Sequence, residues 1–283
     1  VKELSPVQPL EIGICSWSVD RHDPIRAIRA IAGDLDVRAV QIGFFGEQAV
    51  RQARADDIRA AVKGTGVELS GAFVGFDGED YSSPTAIGQS GGLVPDDVFE
   101  HRLSVLAGAA ALTGSLGLHT LAAHLGAIPG DRNDSRHAVM LHRVRRAADA
   151  CAEHQVTLLA ETGAEPPGDL RDFIAAVDRE NLALNFDTGN FVAYGTGDPV
   201  SAVSILGDLI HHVHMKDSTA SPAPGVQWGS NAPLGTGDAN IPRVISKLRA
   251  RAYAGPLTIE NKAGGGSLDP IRDDIAYLRT MFD

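Results

Sequence analysis

Nine residues of one apolar stretch, "IHHVHMKDS" from Ile210 to Ser218, carry three histidines, a lysine and an aspartate. The stretch reads as a strand, in which residues two apart share a face. His212, His214 and Lys216 therefore project one way, and His211, Val213 and Met215 the other. His214 lies nearer the C-terminal end and is the candidate ligand or catalyst, whereas His212, one step deeper, is a hydrogen-bonded supporting group. Three other apolar runs end in an acid: Glu161 in "LLAETG", Asp187 in "ALNFDTGN" and Glu260 in "LTIENK". A charge at the end of an apolar run is costly unless it is paired. If these ends converge, carboxylates ~4 Å apart repel by several kcal/mol at an effective dielectric near 20. A divalent cation removes that penalty. One imidazole and three carboxylates form a mostly hard donor set, which favours Mn²⁺ or Mg²⁺, with Co²⁺ next, over a structural Zn²⁺ site.

Converging strand ends need a fold that gathers them. Short apolar runs ("EIGICSW", "RAVQIGF", "VELSGAFVGF", "LHTLAAHLG", "VTLLAETG", "LALNFDTG", "IHHVHMKD", "PLTIENKAG") alternate with amphipathic stretches such as "PIRAIRAIAGDL" and "HAVMLHRVRRAADACAEHQ". Others, "DDIRAAVKGTG" and "IPRVISKLRARAYAG", end in glycine, as helix C-termini often do. Eight β-α units predict a (β/α)8 TIM barrel forming a single α/β domain over residues 1–283, whose site lies at the C-terminal ends of the strands. A doubly wound sheet is the alternative. It calls for a glycine-rich phosphate turn after the first strand, and "ICSWSVDRHDP" holds none. Two long Gly/Ser/Pro-rich segments, 75–95 and 218–237, follow strands and therefore reach the same rim.

Charge and composition narrow the partners. The 283 residues are 43% hydrophobic with a formal net charge of -11, which disfavours nucleic acid and anionic membranes. The densest basic run, "HRVRRAADA", reads as a solvated helix face carrying Arg143, Arg145 and Arg146. The opening "VKELSPVQPL" lacks an apolar leader, and no apolar run reaches the ~18 residues of a membrane span. Cys15 and Cys151 make no disulfide framework, so the expected compartment is the reducing cytoplasm. A homo-oligomer is compatible with this composition.

Further residues fall on the predicted rim. His124, closing "LAAHLG", and Lys216, one step beyond His214, are candidate substrate-binding groups. Trp17 and Trp228 offer indole faces suited to a C–H surface, and Gln41 a donor to a hydroxyl. Asp80 and Tyr81 lie in the first long segment and are weaker candidates.

Taken together, "ETG", "NFDTGN", "HVHMKD" and "IEN" resemble the xylose isomerase-like barrels, in particular the sugar isomerase/epimerase group related to ketose 3-epimerases and endonuclease IV-type barrels. The resemblance runs over nearly the whole chain. It implies that Glu161, Asp187, His214 and Glu260 hold one divalent metal, Mn²⁺ first. It also implies that Glu161 and Glu260 act as an acid/base pair on a ketose or keto-sugar, through an enediolate. The sequence departs from the ketose 3-epimerase pattern at Asn190, where a histidine is usual, and lacks the arginine expected shortly after the seventh strand. Asn190 remains a candidate substrate contact. A metal-dependent lyase or hydratase acting on a keto-sugar or inosose-like substrate shares the first half-reaction and is the second reading. An endonuclease IV-type phosphodiesterase is the third.

Overall fold

A computed structural model describes residues 10–261 and 267–282. The opening segment read as free of a leader therefore lies mostly outside the described residues, as do residues 262–264 of the last motif. Eight strands close a parallel barrel: β1 (Ile12–Cys15), β2 (Ala39–Phe45), β3 (Glu68–Gly75), β4 (Thr120–Ala123), β5 (Thr157–Glu161), β6 (Leu182–Asp187), β7 (Ile210–Met215) and β8 (Leu257–Ile259). Each pairs in parallel with its sequence neighbours, and β8 closes the ring on β1 through Ile12 opposite Leu257. The predicted (β/α)8 barrel is what forms.

Strand alternation divides the apolar residues into two layers. One face of each strand packs against the outer helices in a large core that includes Ile14, Val40, Val74, Leu158, Phe186, Val213 and Ile259. The other face fills the barrel, where Phe73, Ala122, Leu159 and Ala183 cluster with Trp17 and Phe45 above them. Local chemistry starts the helices. Asp23, Asp134 and Asp198 cap Pro24–Asp34, Ser135–Ala152 and Pro199–Leu206, each accepting a backbone N–H of the first turn.

Composition alone misses two short elements and misjudges one helix face. The segment 75–95 contains a helix, Pro84–Ser90, started by a Ser83 cap and Pro84. The segment 218–237 contributes to a short ribbon that pairs Asp217–Ser218 with Asn231–Ala232. The arginine run is also not a wholly solvated face. Arg143 is buried, donates to the carbonyls of Leu93 and Val94, and pairs with Asp96. Arg145 donates to the carbonyls of Ala176 and Val177 at the end of the helix Pro167–Val177. Guanidinium groups suit unpaired helix-terminal and loop carbonyls, so composition alone misjudged these positions.

Candidate metal and substrate site

The four strand-end residues meet. Glu161 ends β5, Asp187 ends β6, His214 lies one residue before the end of β7, and Glu260 follows β8 directly. One ligand atom from each lies within 4.8 Å of the others. Of the four, Glu161 and Glu260 line a cavity of about 520 Å³ together with Asn190, Lys216, Trp17 and His124, whereas Asp187 and His214 are fully buried.

Asp187 has two tasks. It caps the short helix Thr188–Tyr194, accepting the Asn190 N–H at 2.7 Å through Oδ1. The cap holds the carboxylate in one orientation, with Oδ2 turned to the cluster, where this fully buried atom accepts no hydrogen bond. A buried carboxylate oxygen without a donor is costly. Burial, with repulsion from Glu260 and Glu161, pushes Asp187 up to about 7 against the pull of Lys216. The hard donors, their convergence and the orphaned Oδ2 all fit a divalent cation.

His214 is set by a polar chain through the barrel interior. Gln41 is fully buried, and its Nε2 donates to the Ala72 carbonyl at 3.4 Å, which turns its Oε1 toward His214 Nε2 at 2.6 Å. His214 Nε2 therefore donates to Gln41, and Nδ1 faces Glu161 Oε1 at 2.9 Å. A ligating imidazole is commonly fixed by such a bond at its other nitrogen. On the far side, Asn185 places Nδ2 3.1 Å from His214 Nδ1 and Oδ1 2.9 Å from His212 Nδ1. Burial and the neighbouring His214 push His212 down to about 3, so it is a neutral supporting ring. Burial works against charge on His214, but the hydrogen bond to Glu161 and the three carboxylates outweigh it and raise its pKa.

Glu260 is held from two sides. Trp17 Nε1 donates to Oε1 at 2.9 Å and Lys216 Nζ to Oε2 at 3.0 Å. Lys216 also donates to Asn190 Oδ1 at 2.9 Å. Burial opposes its charge, yet Asp187, Glu260 and Glu161 more than offset this and hold its pKa above the ordinary lysine value.

Of the expected substrate contacts, His124, Asn190, Lys216, Trp17 and Trp228 line the cavity. Gln41 does not. It lies beneath His214 and both ends of its amide are engaged, which corrects the expectation of a hydroxyl donor. Asp80 turns away to accept the Ser82 N–H, whereas Tyr81 lines the mouth. Reading the sequence missed Tyr194, whose hydroxyl lies 3.3 Å from His124 Nε2, and Glu79, Arg21 and Asn231 on the wall. Asn185 was within reach, because it shares a strand face with Asp187. The others sit on loops or short helices whose inward faces no periodicity reveals.

A model of the xylose isomerase-like TIM barrel family matches residues 29–281, and the chain belongs to that family. A xylose isomerase domain protein from Planctomyces limnophilus superposes with TM-score 0.83 at 25% identity, covering 98% of each chain. The 3-keto-D-glucoside 4-epimerase of E. coli superposes with TM-score 0.71 at 17% identity, over 96% of this chain and 99% of that one. A xylose isomerase-like TIM barrel protein from Mycobacterium smegmatis, solved in complex with magnesium, gives TM-score 0.70 at 16% identity, over 99% and 98%. Among curated proteins, the uncharacterized protein MJ1311 of Methanocaldococcus jannaschii is 30% identical over 99 residues, so the match spans 34% of this chain and 31% of that protein.

Proposed function

We propose that this chain is a single-metal sugar isomerase or epimerase that removes and returns a proton next to the carbonyl of a ketose or keto-sugar. The observation that carries the reading is the quartet Glu161, Asp187, His214 and Glu260, whose ligand atoms converge within 4.8 Å, with Glu161 and Glu260 opening on the cavity. Family membership and the fold shared with a 3-keto-sugar epimerase and a magnesium-binding relative support it. Mn²⁺ is the first candidate and Mg²⁺ the second, because oxygen donors dominate the set.

A bound dication would supply Lewis-acid polarisation of the substrate carbonyl. The chain's own residues do the rest. Glu161 borders the cavity and takes the proton next to the carbonyl. Glu260, steadied by Trp17 and Lys216, returns a proton. His124 and Tyr194 bind hydroxyls on the opposite wall, and the indoles of Trp17 and Trp228 cover the C–H face of the sugar and exclude water. The same wall supports a second reading, loss of water from the sugar. Burial keeps Tyr194 a phenol far above neutral pH, so beside His124 it can donate a proton to a departing hydroxyl.

The test is solvent exchange. In deuterated water the Mn²⁺-loaded enzyme places deuterium at the carbon next to the carbonyl of a substrate found by screening ketoses and 3-keto-glycosides. Glu161→Gln and Glu260→Gln each reduce turnover by roughly 10² to 10⁴ with metal saturating. Normal turnover in both variants would defeat the two-carboxylate mechanism. Product that has lost water would select the second reading.

A further inference from the structure

We propose that Lys216 stands in for a second metal ion, so that the cluster accepts one divalent cation and no more. The proposal rests on the reading of the quartet as a metal site. It adds what limits the count.

The ammonium group lies inside the acidic cluster. Nζ is 3.0 Å from Glu260 Oε2 and 3.6 Å from Asp187 Oδ2, so it touches two of the three carboxylates. Its place is built. The side chain is only 8% exposed, and a Cβ at position 189 would meet Lys216 Cγ at 2.8 Å, so Gly189 leaves room for the stem. Asn190 completes the seat, its Oδ1 accepting from Nζ and its Nδ2 donating to the Thr162 carbonyl at 3.1 Å. With both ends of the amide engaged, Asn190 offers no free atom to a metal.

Charge then decides the count. Glu161, Asp187 and Glu260 carry three negative charges when ionised, Lys216 returns one positive, and one dication brings the set to neutrality. A second dication would leave a buried net charge of plus two, which the low-dielectric interior penalises. A neutral side chain at 216 would instead leave a residual negative charge that attracts further cation. A tethered ammonium also has no open coordination position. The site is therefore unsuited to the paired-ion clamp that phosphodiester cleavage commonly uses, and is left to chemistry that one ion supports.

The experiment titrates chelator-stripped protein with Mn²⁺, following heat and the electron paramagnetic resonance signal of free Mn²⁺. Wild type saturates at one ion. In Lys216→Gln the first ion binds at least about tenfold more tightly, because a like charge beside it is gone. Lys216→Arg keeps the charge and stays near wild type. Equal or weaker binding in a folded Lys216→Gln variant, checked by circular dichroism and melting, would show that the lysine only props Glu260, and would overturn the proposal. Tightening in Lys216→Arg would do the same. Saturation of wild type at two ions overturns it whatever the variants do. Wild type that takes up no Mn²⁺ removes the metal reading itself, a failure separate from a one-ion site indifferent to Lys216.

Discussion

Gln41 is fully buried and lies off the cavity wall, against His214. Its Oε1 fixes the proton of His214 on Nε2, which aims Nδ1 at the carboxylates. Bonds of this kind are worth roughly 10–100-fold in metal affinity. Gln41→Leu should therefore bind Mn²⁺ that much more weakly by titration, while its far-UV circular dichroism stays that of wild type. Unchanged affinity would show that Asn185 alone suffices to set the ring. The alternation of β2 makes Gln41 legible as inward-facing. Its depth below the rim is not legible, and depth is what separates a support from a substrate contact.

Elements bring further carboxylates to the rim loops. Glu165, just before the helix Pro167–Val177, is buried and accepts the Ile128 N–H at 2.9 Å, tying the loop after β5 to the loop after β4. Burial pushes its carboxyl up to about 7 from an ordinary 4.5. Below 4.5 folded and unfolded forms both hold the proton, and the contribution to stability is complete. Between 4.5 and 7 the unfolded chain releases a proton that the fold retains, so stability falls as pH rises, by up to about 3 kcal/mol. Glu165→Gln should flatten this part of the stability–pH curve and raise the melting temperature at pH 8. An unaltered pH profile in thermal melts would refute the assignment. The two long rim segments are also joined. Trp228 Nε1 donates to the Tyr81 carbonyl at 3.0 Å, and Thr85 Oγ1 to the Gly225 carbonyl at 3.1 Å, so they cover the cavity together. Amide exchange in 75–95 and 218–237 should slow together when substrate binds, and Trp228→Leu should uncouple the two segments. Protection that is the same with and without substrate would rule out a lid.

At the scale of the molecule, the barrel gathers the ends of β5, β6, β7 and β8 so that three carboxylates and His214 stand side by side, in a chain of net charge -11. Such a cluster makes native stability depend on its counter-ion. A ligand held only by the fold stabilises it by about 2.7 kcal/mol at a hundred times its dissociation constant. Stripping the metal with a chelator should lower the melting temperature by on the order of 5 °C, and Mn²⁺ should restore it. An Asp187→Asn variant should lose most of this difference, since its Oδ2 is the oxygen without a hydrogen bond. Identical melts with chelator and with excess Mn²⁺ would count against a metal centre.

What the sequence determines by itself is whatever depends on period and type. Alternating apolar runs set the barrel strands, Asp-Pro pairs such as Asp23-Pro24 and Asp198-Pro199 set helix starts, and acids ending "LLAE", "LNFD" and "LTIE" mark the rim. In a parallel barrel every strand ends on the same face, so Glu161, Asp187, His214 and Glu260 are brought together by topology alone. Only the tertiary structure decides what depends on depth, rotamer and loop path. It places Gln41 under His214 and puts Lys216 between Glu260 and Asn190. It buries Arg143 against Leu93 and Val94, and it brings Tyr194 from a short helix to His124. The physical reason is range: backbone periodicity is set by neighbours along the chain, whereas these pairings join residues tens of positions apart, through contacts that exist only once the barrel has closed.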